Sequence, residues 1–562
     1  MPILVRGLTL GLDEPEEHLV ERAAARLRVP PGEIRVWAIV RRSIDARKKD
    51  RLAYTFNVEL ALTGHPKNEE RIVRRLHRQD VTLIEPDEMP EPEPGDEPLP
   101  GRPVIVGFGP AGMFAGYMLS IFGYRPLIIE RGQDVSTRHR DIMVDFYRDR
   151  QFHPESNLLF GEGGAGTYSD GKLYTRVHDP RVRLILEVFY QNGANPDILI
   201  DGKPHIGSDK LPGICRHIRM KIEELGGEVR FGSRLDDVVT EDFDSSMWHR
   251  RLAGEDTGGT PVPQKSITGV VVNGERIACG PVVLAVGHSA RDTLRMLSAR
   301  GVQFVTKPFQ LGVRIEHPQA MIDRWQYGSG CGELRLPPAS YELIAKGAAG
   351  ERGDLFSFCM CPGGQILPTN ESAGEIATNG ASRSNRRGEY GNAGLVVTMN
   401  PTDICPEAAA DALKTFDYLE QIERNAFKLT GESYRVPCQR AHDFIAGRVS
   451  DGQVTTSYPL GGDWQDVRNI LPPMVADALK RGLEQLDRRL PGFGGPEGII
   501  AAPETRASGP VRLLRDTESR QSVSAANLYP VGEGAGYAGG IISAAIDGLK
   551  TAEAIIARFR DH

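Results

Sequence analysis

Residues whose types and spacing could do chemistry gather in a few short stretches of this 562-residue chain. In DLFSFCMCPGGQILP, read as a strand, Ser357, Cys359 and Cys361 point to one face and Phe356, Phe358 and Met360 to the other. Two thiols on one face could form a redox relay or a substrate adduct, with the thiolate as the reactive form. Extended i, i+2 positions lie at the upper limit of disulfide geometry, so a bond needs the turn at Pro362 and Gly363 to bend the chain. The competing reading is a pair of inert buried cysteines. His205 in KPHIGSDKL and His288 in GHSARD lie near glycine-rich stretches and are proton-donor candidates or structural hydrogen-bonding residues. Lys172 follows another glycine-rich stretch and either stabilises an anion or is an exposed lysine.

The elements that must position these groups begin with PVIVGFGPAGMFAGYMLSIFGYRPLIIERG. A short apolar strand runs into Gly107, Gly109 and Gly112 at G-x-G-x-x-G spacing, and a helix opens through Pro110, Ala111 and Met113. The first glycine permits a tight turn, the second lets backbone approach a pyrophosphate, and the third lets helix and strand pack closely. The helix N-terminus offers N–H groups and partial positive charge to the same anion. A second apolar strand ends at Glu130 and Arg131, near the spacing of a ribose-binding acid, so Glu130 is expected to accept hydrogen bonds from ribose hydroxyls. Arg138 either reaches the pyrophosphate or forms a surface salt bridge. FGEGGAGTYSDGKL carries Gly163, Gly164, Ala165 and Gly166, a second glycine loop that approaches a flat ring or a phosphate, or else acts as a surface lid.

That much suits NAD or FAD equally. NLYPVGEGAGYAGGIISAAIDGLKTAEAIIA is again a strand, a glycine turn with Gly532 and Glu533, and a helix opening at Gly540 and Ile541. It resembles the closing FAD motif of the glutathione-reductase-like flavoproteins. The resemblance implies that Glu533, where most relatives have Asp, contacts the ribityl chain and that the helix N-terminus faces the flavin pyrimidine. Positive potential there would favour anionic reduced flavin. VVLAVGHSARDT resembles the internal strand of that superfamily ending in Ala-Thr-Gly, with Val286 in place of Thr and Gly287 retained. Together, GFGPAG, FGEGGAGTYSDGKL, KPHIGSDKL, AVGHSARDT, FSFCMCPGG and VGEGAGYAGGI resemble a bacterial family of FAD-dependent dehydrogenases over almost the whole chain.

The fold class expected is α/β with an α+β substrate domain: a Rossmann-like FAD-binding domain with an inserted substrate domain, plus a small N-terminal ferredoxin-like βαββαβ domain. Residues 1–84 form the small domain, 85–100 a linker rich in proline and acids, 101–309 and 496–562 the two parts of the FAD domain, and 310–495 the substrate domain. A polar stretch at about 241–266 reads as a surface insertion. The substrate domain carries no Ser/His/Asp elbow, HExxH or P-loop.

No second G-x-G-x-x-G with its own strand and acid occurs, so NAD(P)H is expected only as a transient co-substrate docking against the flavin. The alternative is an organic small-molecule substrate that delivers hydride itself. No metal is expected, because the seven cysteines include no CxxC ligand pair. A net charge of -7 gives no global attraction to nucleic acid or anionic membrane. The chain lacks a signal peptide or a span long enough for a bilayer and reads as cytoplasmic. One basic run, RRSIDARKKDR from Arg41 to Arg51, fits a phosphate or nucleic-acid contact or a solvated loop, and lacks the interleaved aromatics that stack on bases. The rival function is a non-catalytic or RNA-associated flavoprotein that recognises its partner through this basic run, with FAD as redox sensor or structural core.

Overall fold

In the computed structural model, residues 2–49, 51–63, 67–84, 91–242, 265–332 and 335–560 are described. They fall into two compact units: Met1–Pro90 with Lys172–Ile206 and Ala320–Ala339, and Glu91–Gly171 with Gly207–Gln319 and Ser340–His562. These units cut the chain differently from the domains expected of the sequence.

In the first unit, β1 (Ile3–Gly11), α1 (His18–Leu27), β2 (Ile34–Asp45), β3 (Ala53–Leu62), α2 (Lys67–Leu76) and β4 (Val81–Leu83) follow the expected element order. The sheet is antiparallel in the order β2-β3-β1-β4. In β1 the buried positions switch from Ile3 and Val5 to Leu8 and Leu10. Gly7 at φ +69° carries the bulge that makes the switch, so both apolar pairs face one core. Leu19, Ala23 and Leu27 close that core from α1.

The basic run is not all loop. Arg41 to Asp45 lie within β2, where Arg42 hydrogen-bonds Asp201 Oδ1 at 3.1 Å and Arg47 pairs with Asp45.

In the second unit the chain runs through β5 (Val104–Val106), α3 (Pro110–Ile121), β6 (Leu127–Ile129), β7 (Glu228–Arg230) and β8 (Val282–Leu284). It then builds a second sheet from β9 (Phe309–Pro318), β10 (Leu355–Pro368), β11 (Tyr390–Met399) and β12 (Ile499–Glu504), and returns through β13 (Leu528–Pro530) and α4 (Ile541–Ile556). The first sheet is parallel in the order β13-β8-β5-β6-β7. VIV, LII and VVL are wholly buried runs, as a parallel sheet covered on both faces requires. From β5 the chain winds first through β6 and β7 and later through β8 and β13. The reversal lies between β5 and β8, and ligands of such sheets bind at the carboxyl ends there.

The second sheet is antiparallel through β10, β11, β9 and β12, and β12 lies wholly beyond residue 495, the expected end of the substrate domain. The described part of the linker is not free. Glu97–Pro98 pairs in parallel with Phe559–Arg560, and Arg558 Nε donates to Glu97 Oε2 at 2.8 Å. Most of the polar insertion, 243–264, lies outside the described residues; its flanks are antiparallel strands in register at Asp242 and Lys265. No helix among the described residues is long and apolar enough to cross a membrane.

His317 in β9 is fully buried, with Nε2 2.9 Å from the Phe493 carbonyl oxygen, and burial pushes its pKa down to about 4 from 6.5. The neutral ring is favoured in the fold, whereas the unfolded chain binds the proton first. Its contribution is therefore complete above about pH 6.5 and disappears as pH falls through about 4. The unfolding free energy measured in urea should fall by on the order of 3 kcal/mol over that window through this residue, and His317→Gln should flatten the profile.

Candidate active site

Three glycine turns meet at the carboxyl ends of neighbouring strands β5, β8 and β13. A Cβ on Gly107 would lie 2.5 Å from the Ala285 carbonyl oxygen, and one on Gly534 would lie 2.3 Å from that of Gly287. These contacts exclude a side chain, so the turns close on one another through bare backbone. Helices α3 and α4 begin at Gly109 and Gly540, neither N-terminus carrying a side-chain cap. They pack so closely that a Cβ on Gly548 would stand 2.1 Å from the Ala111 carbonyl oxygen. The start of α3 thus packs on the middle of α4, and the first residues of both helices, Pro110 and Ile541, lie within reach of one Cβ placed on Gly166, so the two uncapped, partly positive ends are near each other. Asp547 holds the β13 turn from below, accepting from Gly532 N at 2.7 Å and from Arg515.

The second glycine loop lies on the first. Gly163 N donates to Phe108 O at 2.9 Å, a Cβ on Gly164 would come within 3.0 Å of Gly109 Cα, and one on Gly166 would reach Pro110 and Ile541. Arg138 is fully buried and donates to the carbonyls of Asn157, Glu162 and Gly164 at 2.7, 2.8 and 2.9 Å. Of the two expectations for Arg138, a pyrophosphate contact or a surface salt bridge, the second is corrected: its guanidinium braces the loop from inside. A loop held in this way is also no free lid, although Ala165 at its tip is exposed.

Glu130, 4 % exposed, accepts from the backbone N–H groups of Phe108, Gly132 and Gly161 at 2.8, 2.9 and 2.9 Å. It ties both glycine loops to the end of β6. Of the roughly four acceptor positions of a carboxylate, about one is left for a ribose hydroxyl. Arg131 pairs with Glu155 and Asp292, stacks over Phe160 at 4.3 Å, and lines a cavity of about 270 Å³.

These residues fit a flavin dinucleotide. The helix ends suit its pyrophosphate. Cβ atoms on Gly287 (φ +71°) and Gly540 (φ +142°) would meet nothing within 4 Å, so backbone there borders open space.

Beside these turns lies a buried polar group built from the second sheet. Arg314 of β9 is fully buried: its Nε donates to Glu504 Oε2 at 2.7 Å, Nη1 to the Cys359 carbonyl at 3.0 Å and to Asn392 Oδ1 at 3.2 Å, and Nη2 to Asn379 Oδ1 at 2.5 Å. Glu504 ends β12 and is likewise fully buried. Burial lifts its carboxyl to about 7 in spite of Arg314. His288, after β8, places Nδ1 3.5 Å from Glu533 Oε1. The ring and Cys359 both act electrostatically on Glu504. The structure thus brings His288, Cys359 and Glu533 together and adds Arg314 and Glu504, which are absent from the sequence-based expectations. A lone Arg in a strand and a lone Glu 190 positions away carry no local signal.

The cysteines do not follow strand alternation. The register slips between Phe358 and Cys361, and Cys359 sits at φ +45°. The expected shared face is thereby corrected: Cys361 is fully buried, its Sγ 3.3 Å from the Cys359 carbonyl oxygen, while Cys359 is half-buried. Lys172 and His205 belong to the first unit, where they form a backbone bridge with each other. One further cluster has no counterpart among the expected site residues. Asp141, Asp145 and His153 hold possible ligand atoms within 4.8 Å of one another. His153 Nε2 is hydrogen-bonded to Asp145 and Ser156 to Asp141.

Residues 308–507 match the family described as FAD-dependent protein, C-terminal domain-like, and residues 3–61 match a domain of unknown function, DUF8436. An uncharacterised protein of Clostridium beijerinckii is 38% identical over 561 residues, covering 100% of this chain and 99% of its own. Among solved structures, glycine oxidase of Bacillus cereus matches at 10% identity and TM-score 0.32, over 82% of this chain and 99% of its own. A geranylgeranyl bacteriochlorophyll reductase-like protein of Thermoplasma acidophilum matches at 11% and 0.31, over 81% and 77%. Likeness this distant identifies no activity. At its identity to the clostridial protein over the full length, the chain belongs to the same family as that protein.

Proposed function

We propose that the chain is an FAD-dependent oxidoreductase, a dehydrogenase or reductase acting on a small organic substrate. The observation that carries this reading is the meeting of three bare glycine turns and two uncapped helix ends beside a buried polar group. Gly107 to Gly112, Gly163 to Gly166, Glu130, Gly287, Glu533 and the α4 N-terminus would hold the dinucleotide. When bound, FAD supplies hydride chemistry at flavin N5. Glu130 orients the adenosine end and fixes both glycine loops. The α4 N-terminus favours negative charge beside it. Buried Arg314 fixes the orientation of Glu504, and Glu533 lies 3.5 Å from one nitrogen of His288. A partly dry site of this kind strengthens each of these interactions. NAD(P)H enters as a transient donor, in keeping with a single dinucleotide fingerprint. In the first unit we read the β2-β3-β1-β4 sheet with its two helices as a ferredoxin-like appendage. Pairing of Arg42 and Arg47 with aspartates favours this over the RNA-associated alternative.

The purified protein is expected to be yellow with bound flavin. Anaerobic addition of excess NADH or NADPH should bleach its long-wavelength band. Bleaching by dithionite alone would point to an organic hydride donor, and a protein that takes up no FAD would sink the proposal. RNA binding that is salt-sensitive and abolished by charge reversal at Lys48 and Lys49 would favour the alternative.

A further inference from the structure

We propose that Glu504 is the residue that exchanges a proton with the substrate, its Oε1 edge serving the reacting polar atom while His288 presents Nε2 to the same atom. This role rests on the oxidoreductase reading and extends it to a substrate class. The substrate carries its exchangeable proton on oxygen or nitrogen next to the carbon that is oxidised. It is an alcohol or amine in one direction and a carbonyl or imine in the other.

Two buried polar atoms carry the case. Glu504 Oε2 is held by Arg314, but Oε1 has no hydrogen-bond partner among the described residues although Glu504 is fully buried. His288 Nε2 is likewise buried without a partner among them, while Nδ1 faces Glu533. Buried polar atoms in native folds are nearly always paired, so an orphan acceptor and an orphan ring nitrogen in one charged neighbourhood mark a place where a ligand completes the set. Arg314 is not the exchanging group: its three nitrogens already serve Glu504, Cys359, Asn392 and Asn379. It is a positioning residue that leaves a single carboxylate edge available.

The chain also ties the two elements together. Thr505 and Arg506 follow Glu504 directly; Thr505 binds Glu423, and Arg506 reaches both Glu423 and Ser289, the neighbour of His288. The groups facing Glu504 are Arg314 from β9, Cys359 from β10 and His288 from the turn after β8. Burial and Cys359 raise the carboxyl against Arg314 and His288, and hold it near neutrality, where it can give or take a proton with little driving force lost.

The step balances. On oxidation the substrate O–H or N–H bond breaks and its proton goes to the Glu504 carboxylate. The adjacent C–H bond breaks, its electron pair leaving with the hydrogen as hydride to oxidised FAD, and a C=O or C=N bond forms. Reduction reverses each transfer, and Glu504 returns the proton.

The test needs no known substrate. The flavin midpoint potential of the FAD-loaded protein is measured from about pH 5 to about pH 9 by dithionite titration, for the wild type and Glu504→Gln. The wild-type plot should bend near neutrality, where the Glu504 charge changes, and the variant should lose the bend. Redox-difference infrared spectra should show a buried carboxylic-acid carbonyl band in the wild type, absent from Glu504→Gln and moved in Glu504→Asp. A flavin-loaded Glu504→Gln that keeps both bend and band overturns the proposal. If that variant does not fold, a wild type with no such band overturns it equally. A wild type that binds no FAD instead overturns the oxidoreductase reading beneath it.

Discussion

Glu423→Ala should shift urea unfolding of the second unit by about 5 kcal/mol or more, a larger loss than most single substitutions cause. Glu423 lies on the helix Lys414–Leu429 with no exposed surface. It accepts two hydrogen bonds from Arg291, each 3.0 Å, one from Arg506 at 3.0 Å and one from Thr505 at 2.5 Å. Burial alone would raise its pKa, but Arg291 and Arg506 together hold it below the usual carboxylate range. Both arginines are themselves buried, with 2 % and 1 % of their side chains exposed. Glu371 is the acid that still reaches both after Glu423 is removed. Removing one partner of a buried pair typically costs roughly 3–5 kcal/mol, because a charge is left unpaired in low dielectric. In this cluster one carboxylate serves two guanidinium groups. A typical fold holds only about 5–15 kcal/mol in total, so the variant should be unfolded or close to it at room temperature. Glu423→Gln keeps the shape but removes the charge and turns one acceptor into a donor facing guanidinium N–H groups, so it should lose nearly as much. A shift below about 1 kcal/mol for the alanine variant would show that the remaining acids suffice.

What could be read from the sequence follows the range of the physical signal. The order of elements in the first unit, the strand before Gly107, the helix after it and the acid at the end of β6 are written in runs of ten to thirty residues, where apolar periodicity and glycine spacing act locally. The flanks of the 243–264 excursion were legible for the same reason, since β-rich residues stop where polar turn formers begin. The Arg314–Glu504 pair was not, because each member looks like a surface charge until the sheet brings β9 beside β12. Arg138, expected at the pyrophosphate or in a surface salt bridge, was hard to read for a related reason: arginine is so seldom fully buried that the three backbone carbonyls around it leave no local signal in the sequence. The cysteines failed through parity. Register slips on both sides of Cys361 break the alternation of faces, and no residue type in FSFCMC announces them. Lys172 and His205 lie close in the sequence to the second glycine loop, yet their backbones pair with each other in the other unit.

Gly112→Ala tests the cofactor reading at its narrowest point and should reduce flavin affinity a hundredfold or more, about 3 kcal/mol. A Cβ on Gly112 would sit 2.0 Å from the Gly107 carbonyl oxygen, 3.1 Å from its carbonyl carbon and 3.2 Å from Ala285 Cβ. Two of these three neighbours are backbone, and Gly107 is itself held by its N–H to the Ile129 carbonyl at 2.7 Å. Neither side can yield by the swing of a flexible side chain. The turn must move, and with it Phe108 N, which Glu130 holds, and the uncapped start of α3. Because the same carboxylate ties the loop at Gly161, the displacement passes to the second glycine loop as well. Flavin affinity, measured by titrating apoprotein with FAD and following fluorescence quenching, should therefore fall much further than stability does. Gly213→Ala supplies the contrast. It lies within the helix Leu211–Glu224, where an added Cβ meets nothing within 4 Å, and alanine there should leave flavin binding intact while stabilising the helix by up to about 1 kcal/mol. Equal flavin affinity in the Gly112→Ala and Gly213→Ala proteins would mean that the first glycine turn does not hold the dinucleotide. A loss confined to Gly112→Ala, with the fold retained, would tie FAD to the meeting point of β5, β8 and the two helix ends.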